Sequence, residues 1–329
     1  MRAYIVRRLL LMVPTVLLVT TLIFLMVRLI PGSMVDMIVQ QMAGVGDIDI
    51  QTVEQVRHIL GLDVPIQTQY GRWLGFLPQE DGNVSGAFQG NLGISMWTQK
   101  PIAPELAKRF PVSFELGILA LITALIMGLP IGIYSGMRQD TAGDYVARTA
   151  AILGISVPGF WIATLIIVYP AIYFNWSPPV RYIPFTQDVM GNLGQFLLPA
   201  AILGLFTSAT VMRMTRTMML EVMRQDYIRT AWSKGLTERA VVFRHAMRNA
   251  MIPVITAAGI QIPVLIGGSI IFEQIFTLPG MGLYLIEALQ RRDYNVIVTI
   301  NMVIAIGVLV FNLLVDLTYA WLDPRVSYK

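Results

Sequence analysis

Charged positions along this chain leave six long runs without a single Asp, Glu, Lys or Arg: Leu9–Val27, Leu116–Met137, Thr149–Val180, Val189–Met212, Asn249–Phe272 and Tyr294–Val315. The shortest, at 19 residues, measures about 28 Å as a helix, close to the ~30 Å hydrocarbon core of a bilayer. The pattern therefore predicts six membrane helices. The first run holds 13 Leu, Ile, Val or Phe residues, each favouring insertion by roughly 0.3 to 0.6 kcal/mol. Arg7-Arg8 ahead of an apolar stretch is also how a secretory signal begins. This run exceeds a usual signal core and no A-x-A site follows it, so it is read as a retained helix.

Between the fourth and fifth runs the pattern changes. Asp226 is placed as an N-cap for a short helix over Tyr227 to Lys234, with Tyr227, Thr230 and Ala231 on one face. Gly235 suits the position after a helix where the chain turns through positive φ. Thr237 then caps a second helix to about Asn249, on which Val241, Val242 and His245 alternate with Arg239, Arg244 and Arg248. One reading of such a stretch is a basic surface lying on anionic lipid headgroups. The small Thr230, Ala231 and Gly235 favour a helix seated in another protein's cleft, where backbones approach closely.

Composition agrees with the bilayer as solvent: 55% of the 329 residues are hydrophobic, 13% are charged, and mean hydropathy is +0.64. Charge placement adds an orientation. Arg2, Arg7 and Arg8 precede the first run, and Arg138 and Arg148 flank the loop at Asp140. The loop from Arg213 to Arg248 carries eight bases against three acids, whereas Pro31 to Phe110 carries eight acids against five bases. The positive-inside rule puts both termini and the arginine-rich loop in the cytoplasm and residues 31–110 outside a cytoplasmic (inner) membrane. A net charge of +4 is what asymmetric cytoplasmic loops produce and gives no reason to expect nucleic acid.

Several chemistries lack their residues. The four lysines lie outside any G-x-x-x-x-G-K-[ST] loop, so no nucleotide site of that kind is expected. The two histidines, His58 and His245, are far apart in sequence, and no cysteine offers a thiolate ligand, so no metal site is expected. No G-x-S-x-G elbow is present. An enzyme is not expected. Glu115, Glu273 and Asp316 fall near span ends, where a hydrogen-bonding role outweighs a proton relay; Asn301 and Gln261 lie further in, as single amides suited to joining helices.

Beyond these readings stands a resemblance. The order Tyr227-x-Arg229-Thr230-Ala231-x-x-Lys234-Gly235-Leu236-x-Glu238-Arg239, then Arg244-His245-Ala246-x-Arg248-Asn249-Ala250-x-x-Pro253, resembles the cytoplasmic coupling loop of ABC-importer permeases. It is most similar to the oligopeptide/dipeptide branch, whose members also carry nickel, glutathione and some oligosaccharides. The general loop has Glu-Ala-Ala where this chain has Arg229-Thr230-Ala231, and Pro253 lies farther beyond Gly235; both departures resemble the peptide branch. The opening "YIVRRLLLMVPTVLLVTTLIFLMVRLIPG", the G-x-L-G-x-S strand and following helix within Gly90–Leu116, "IFTLPGMGLYLIEALQRRDYNVI" and "NLLVDLTYAWLDPRVSY" extend the similarity over nearly the whole chain.

The resemblance implies an all-α integral membrane protein of the type I ABC importer permease fold with six transmembrane helices. Its parts would be residues 1–30 (N-terminus and first helix), an external segment at 31–110, and helices two to six in 111–329 with the coupling loop at 213–250. It implies a B-type permease paired with a second, similar permease, two ABC ATPases that bind ATP and Mg, and an external substrate-binding protein, all within membrane lipid. Tyr227, Arg229, Thr230, Ala231, Lys234, Gly235, Leu236, Glu238, Arg244, His245 and Arg248 would couple to an ATPase. The fifth run holds Pro253, Gly259, Gln261, Pro263, Gly267 and Gly268, residues suited either to a hinge along the pathway or to tight helix packing. The external segment would dock the binding protein, gate the outer mouth, or cap the helix ends. A di- or oligopeptide is the family default, with an oligosaccharide or nickel as alternatives. A secondary transporter, a channel or a membrane scaffold are the competing classes.

Overall fold

The computed structural model describes residues 2–29, 35, 38, 50–179 and 181–322. The remaining positions, among them Asp36, Asp47, Asp49 and the end of the closing motif at 323–329, lie outside the described residues. The described chain is helical and forms no strand, only an isolated bridge between Ile94 and Pro101. The strand expected for G-x-L-G-x-S is therefore absent: Gly90 and Gly93 take positive φ and turn the chain where a strand would extend it.

In chain order the helices are α1 (Arg2–Arg28), α2 (Ile50–Ile59), α3 (Ile66–Leu74), α4 (Ile102–Met137), α5 (Ala142–Ser156), α6 (Gly159–Phe174), α7 (Val189–Met223), α8 (Asp226–Ser233), α9 (Glu238–Ala240), α10 (Met247–Ile275), α11 (Met281–Gln290) and α12 (Tyr294–Leu322). A six-residue π-helical turn, Val241–Ala246, joins α9 to α10. Four of these helices (α1, α4, α7 and α12) are long and apolar enough to cross a membrane, and α5 with α6 makes a fifth candidate.

That fifth candidate departs from the straight span expected over Thr149–Val180. It is bent by 86° between Ser156 and Gly159. Val157 sits at φ −97°, ψ 128°, the extended conformation that a following proline imposes, and Pro158 opens α6 without an N–H to continue α5.

The chain divides into two compact units. The first comprises 112–282 with 307–329. Its centre is α7, which packs against α10, α5 and α6 and buries Phe196, Ala200, Leu203 and Met219. Glycine makes the approach of α4 to α7 possible. A Cβ on Gly132 would lie 2.7 Å from the Met212 carbonyl oxygen and 2.6 Å from Thr215 Cβ, and one on Gly128 would lie 2.8 Å from the Ser208 carbonyl oxygen. Small residues four apart put two backbones in contact, which is how membrane helices associate without a hydrophobic drive between them.

The second unit comprises 2–111 with 283–306. On α1 the face with Leu10, Leu18, Leu22 and Met26 is exposed, as suits a helix solvated by lipid. The opposite face binds α3: the Thr20 and Thr21 hydroxyls lie 3.2 and 2.7 Å from the Tyr70 hydroxyl, and Phe24 packs on the Tyr70 ring with centroids 4.9 Å apart. Asp293 holds the Gly90–Gln99 turn through Ser95 Oγ (2.5 Å), the Met96 N–H (3.2 Å) and the Trp97 N–H (3.3 Å), and it also caps the start of α12 through the Val296 N–H.

Candidate coupling surface

Non-helical backbone between α7 and α10 is scarce. Arg224 and Gln225 separate α7 from α8, and residues 234–237 separate α8 from α9. The loop expected over 213–250 is thus almost wholly helical, because α7 continues to Met223 and the second loop helix runs through the π turn into α10 without interruption. Glu238 to Ile275 forms one rod of roughly 57 Å at about 1.5 Å per residue.

Gln225, not Asp226, occupies the N-cap position of α8, and its side chain makes no capping hydrogen bond. Asp226 is instead the first helical residue. There its carboxylate complements the positive helix end and accepts from Arg229 Nη1 at 3.3 Å. Gly235 does turn with φ +75°, its N–H donating to the Trp232 carbonyl at 2.9 Å. A Cβ there would meet nothing within 4 Å, so backbone conformation alone selects glycine. The Thr237 hydroxyl accepts from the Ala240 N–H, as expected of the second cap.

Burial sorts the expected coupling residues into two sets. Ile228 and Ala231 point inward and form a core with Met219, Val241, Val242, Ala246 and Ala250. Ala231 therefore does not share a docking face with Tyr227 and Thr230; a residue three after Ile228 lies on the same helical stripe, and Ile228 is the larger apolar group. Tyr227, Arg229, Thr230, Lys234, Gly235, Leu236, Glu238, Arg244 and Arg248 are exposed, and His245 is half-buried. Two aromatics that the small-residue argument overlooked join them: Trp232 is 42% exposed and Phe243 61%. A tryptophan four residues before a leucine in a polar stretch was the available signal.

Three contacts fix the loop. Asn249 Nδ2 donates to the Tyr227 hydroxyl at 2.8 Å, strapping α8 to the start of α10. Glu238 pairs with Arg138, beyond the end of α4, at 3.1 Å. Two turns before α7 ends, Arg216 binds the buried Asp144 of α5 through two parallel hydrogen bonds, and Asp144 also accepts from Ser135 Oγ and from the Asp140 N–H at 3.0 Å. Arg148 Nη2 lies 3.2 Å from the same carboxylate. This joint of α4, α5 and α7 went unread in the sequence because its members stand 9 and 72 residues apart.

Pro253, Gly259, Gln261, Pro263, Gly267 and Gly268 all lie within α10, whose helical backbone is unbroken. Gly259 faces Val315 of α12 so closely that a Cβ would overlap its methyl group, which is a packing role. Gly267 has open space around it. Glu273 is fully buried at the end of α10, accepting from Ser269 Oγ at 3.0 Å and from the Gly282 N–H at 2.7 Å, so it ties the end of α10 to the first turn of α11.

Comparison with known proteins bears on this arrangement. The family described as "Binding-protein-dependent transport system inner membrane component" matches residues 128–328, and the N-terminal family of the same systems matches residues 1–117. The dipeptide transport system permease protein of Escherichia coli strain K12 is 38% identical over 352 aligned residues, covering 100% of both chains. The glutathione transport system permease protein of Escherichia coli O6:H1 is 35% identical over 326, covering 99% of each. Among solved structures, an amino acid ABC transporter crystallised with histidines aligns with 67% of this chain and 94% of its own at a TM-score of 0.51 and 18% identity.

Proposed function

The chain belongs to the binding-protein-dependent transport system inner membrane components, multi-pass permease subunits of ABC importers, and from that premise we propose that it forms half of the translocation pathway for a short peptide. With α10 counted beside the five candidate spans, six helices cross the membrane, both termini are cytoplasmic, and residues 31–110 lie outside. A second permease completes the pathway, an external binding protein delivers the solute, and two ATPases supply the ATP and Mg chemistry. Relatives named for dipeptide and glutathione transport support the substrate class.

One observation carries the coupling role. Helix α8 is anchored from within by Ile228 and Ala231 while it presents Tyr227 and Trp232 outward, with Leu236 exposed just beyond its end, on an otherwise charged loop. Exposed aromatics on a rigid element are what a protein interface uses as anchors. An ATPase closing on nucleotide would push α8, and the core shared with Val241, Val242 and Ala246 would pass that push to the long rod. Asp144 with Arg216 would hold the ends of α4, α5 and α7 together under the load.

The test is purification of the chain from mild detergent and identification of what comes with it. Recovery of a second permease and P-loop ATPases, reduced by Trp232→Ala without loss of the folded chain, is the expected result. A chain that purifies alone and still moves solute in vesicles without ATP would place it among secondary transporters or channels.

A further inference from the structure

Three polar side chains converge in the second unit. His58 lies near the end of α2, Asp63 in the turn after it, and Glu80 in the loop after α3. One ligand atom from each lies within 4.8 Å of the other two, and all three are exposed. His58 Nδ1 stands 2.6 Å from Asp63 Oδ2, and Glu80 Oε1 accepts from Arg72 Nη1 at 3.2 Å. His58 and Glu80 also stand in the wall of a cavity of about 480 Å³, beside Asp81 and Asn91.

We propose that His58, Asp63 and Glu80 bind a divalent transition cation of the zinc class, which ties the end of α2 to the loop after α3. The donor set selects that class. One imidazole with two carboxylates suits Zn²⁺ and its neighbours, whereas Ca²⁺ and Mg²⁺ favour sets made of oxygen. The spacing is within reach. In a tetrahedral site two ligands at about 2.1 Å stand about 3.4 Å apart, so the His58–Asp63 pair, 2.6 Å apart, opens by about 0.8 Å and any wider pair, all within 4.8 Å, closes by at most about 1.4 Å, changes that torsions of exposed side chains supply.

Competition from the existing pairs is weak. Arg72 and Glu80 are a surface ion pair, with Glu80 54% exposed, and solvent screens such a pair so that it contributes little. Glu80 also keeps a second oxygen for the cation. Two carboxylates, one neutral imidazole and the Arg72 guanidinium leave one net negative charge, which a dication reverses. Three protein ligands leave a fourth position for water or an exchangeable ligand, and the adjoining cavity has room for it.

The experiment uses the full chain, stripped with chelator and titrated with ZnCl₂ in the presence of excess Mg²⁺. Expected are one Zn²⁺ bound per chain with Kd on the order of micromolar or tighter, and a loss of about tenfold or more in His58→Ala. Should that variant not fold, ring-labelled histidine in the unmodified chain decides the matter. The chain has two histidines, and His245→Gln assigns the signals. The His58 ring signals must then shift with stoichiometric Zn²⁺. Unaltered His58 signals, or equal binding by His58→Ala, would overturn the site, and neither result touches the assignment as a permease.

Discussion

The Arg216 guanidinium meets the Asp144 carboxylate edge to edge, Nε to Oδ1 and Nη2 to Oδ2 both at 2.8 Å, with Asp144 wholly shielded from solvent. Removing Arg216 leaves the buried carboxylate with Arg148, 3.2 Å away, as its counter-charge and costs it two hydrogen bonds. Arg216→Ala is expected to cost up to about 3 kcal/mol, the low end for breaking a buried pair because Arg148 remains, read as earlier thermal unfolding in detergent. Pairing it with Asp144→Asn should recover part of that loss. If Arg216→Ala unfolds like the parent, the joint is not structural.

Two glycines on apolar helices should respond in opposite ways. Gly132→Leu drives a side chain into the Met212 carbonyl and Thr215, and overpacking of that kind costs about 1 to 3 kcal/mol. At Gly154 a Cβ would meet only Ala209 Cβ at 3.9 Å, so Gly154→Ala should hold or slightly raise stability. Equal unfolding temperatures for the two variants would contradict the close contact of α4 with α7.

At Gly235 the demand is conformational, so two substitutions of different φ preference separate it from size. Asn tolerates φ near +75° and should keep ATP-driven uptake in reconstituted vesicles, whereas Val strains the turn by about 1 to 3 kcal/mol and should reduce uptake. Normal uptake by Gly235→Val would show that the angle between α8 and α9 does not matter to coupling.

On α8 the inward and outward faces should divide stability from activity. Ile228→Ala empties a core position and should cost about 2 to 5 kcal/mol. Trp232→Ala should leave unfolding unchanged and lower the ATP hydrolysis stimulated by transport. The pair of assays fails the proposal if Trp232→Ala unfolds early and couples normally.

His58 and Asp63 give a pH dependence. Their hydrogen bond raises the His58 pKa above its ordinary 6.5 and lowers that of Asp63 below 3.8. The charged pair is therefore lost as pH rises through the raised histidine value, or as it falls through the depressed aspartate value. Titration of the His58 ring by NMR in chelator should give a pKa above 6.5 that returns toward it in Asp63→Asn.

How much of this was legible depended on the range of the signal. Charge-free runs located the long helices because the bilayer penalises charge at every position along them. The 86° bend was readable in principle from Pro158, yet a run of 32 uncharged residues hid it. Gly235 and Thr237 were readable since a turn and a cap are decided within four residues. Asp144 with Arg216, the Gly128 and Gly132 seat for α7, and the His58 cluster were not, since each depends on partners brought near only by folding. The small-residue reading of α8 failed at Ala231 because helical phase, set by Ile228, outweighs size.

The π turn at Val241–Ala246 sets the phase of everything attached to it. Six residues that hydrogen-bond five apart carry one residue more than the same stretch of ordinary helix, so each advances the azimuth by less than the roughly 100° of an α-helical residue. Excising a single residue there would let the rod heal into regular helix. Val241 and Val242 would keep their direction relative to Ala250 and the helix beyond, so the loss of one residue is absorbed here, whereas in the regular helix on either side it would turn one half against the other.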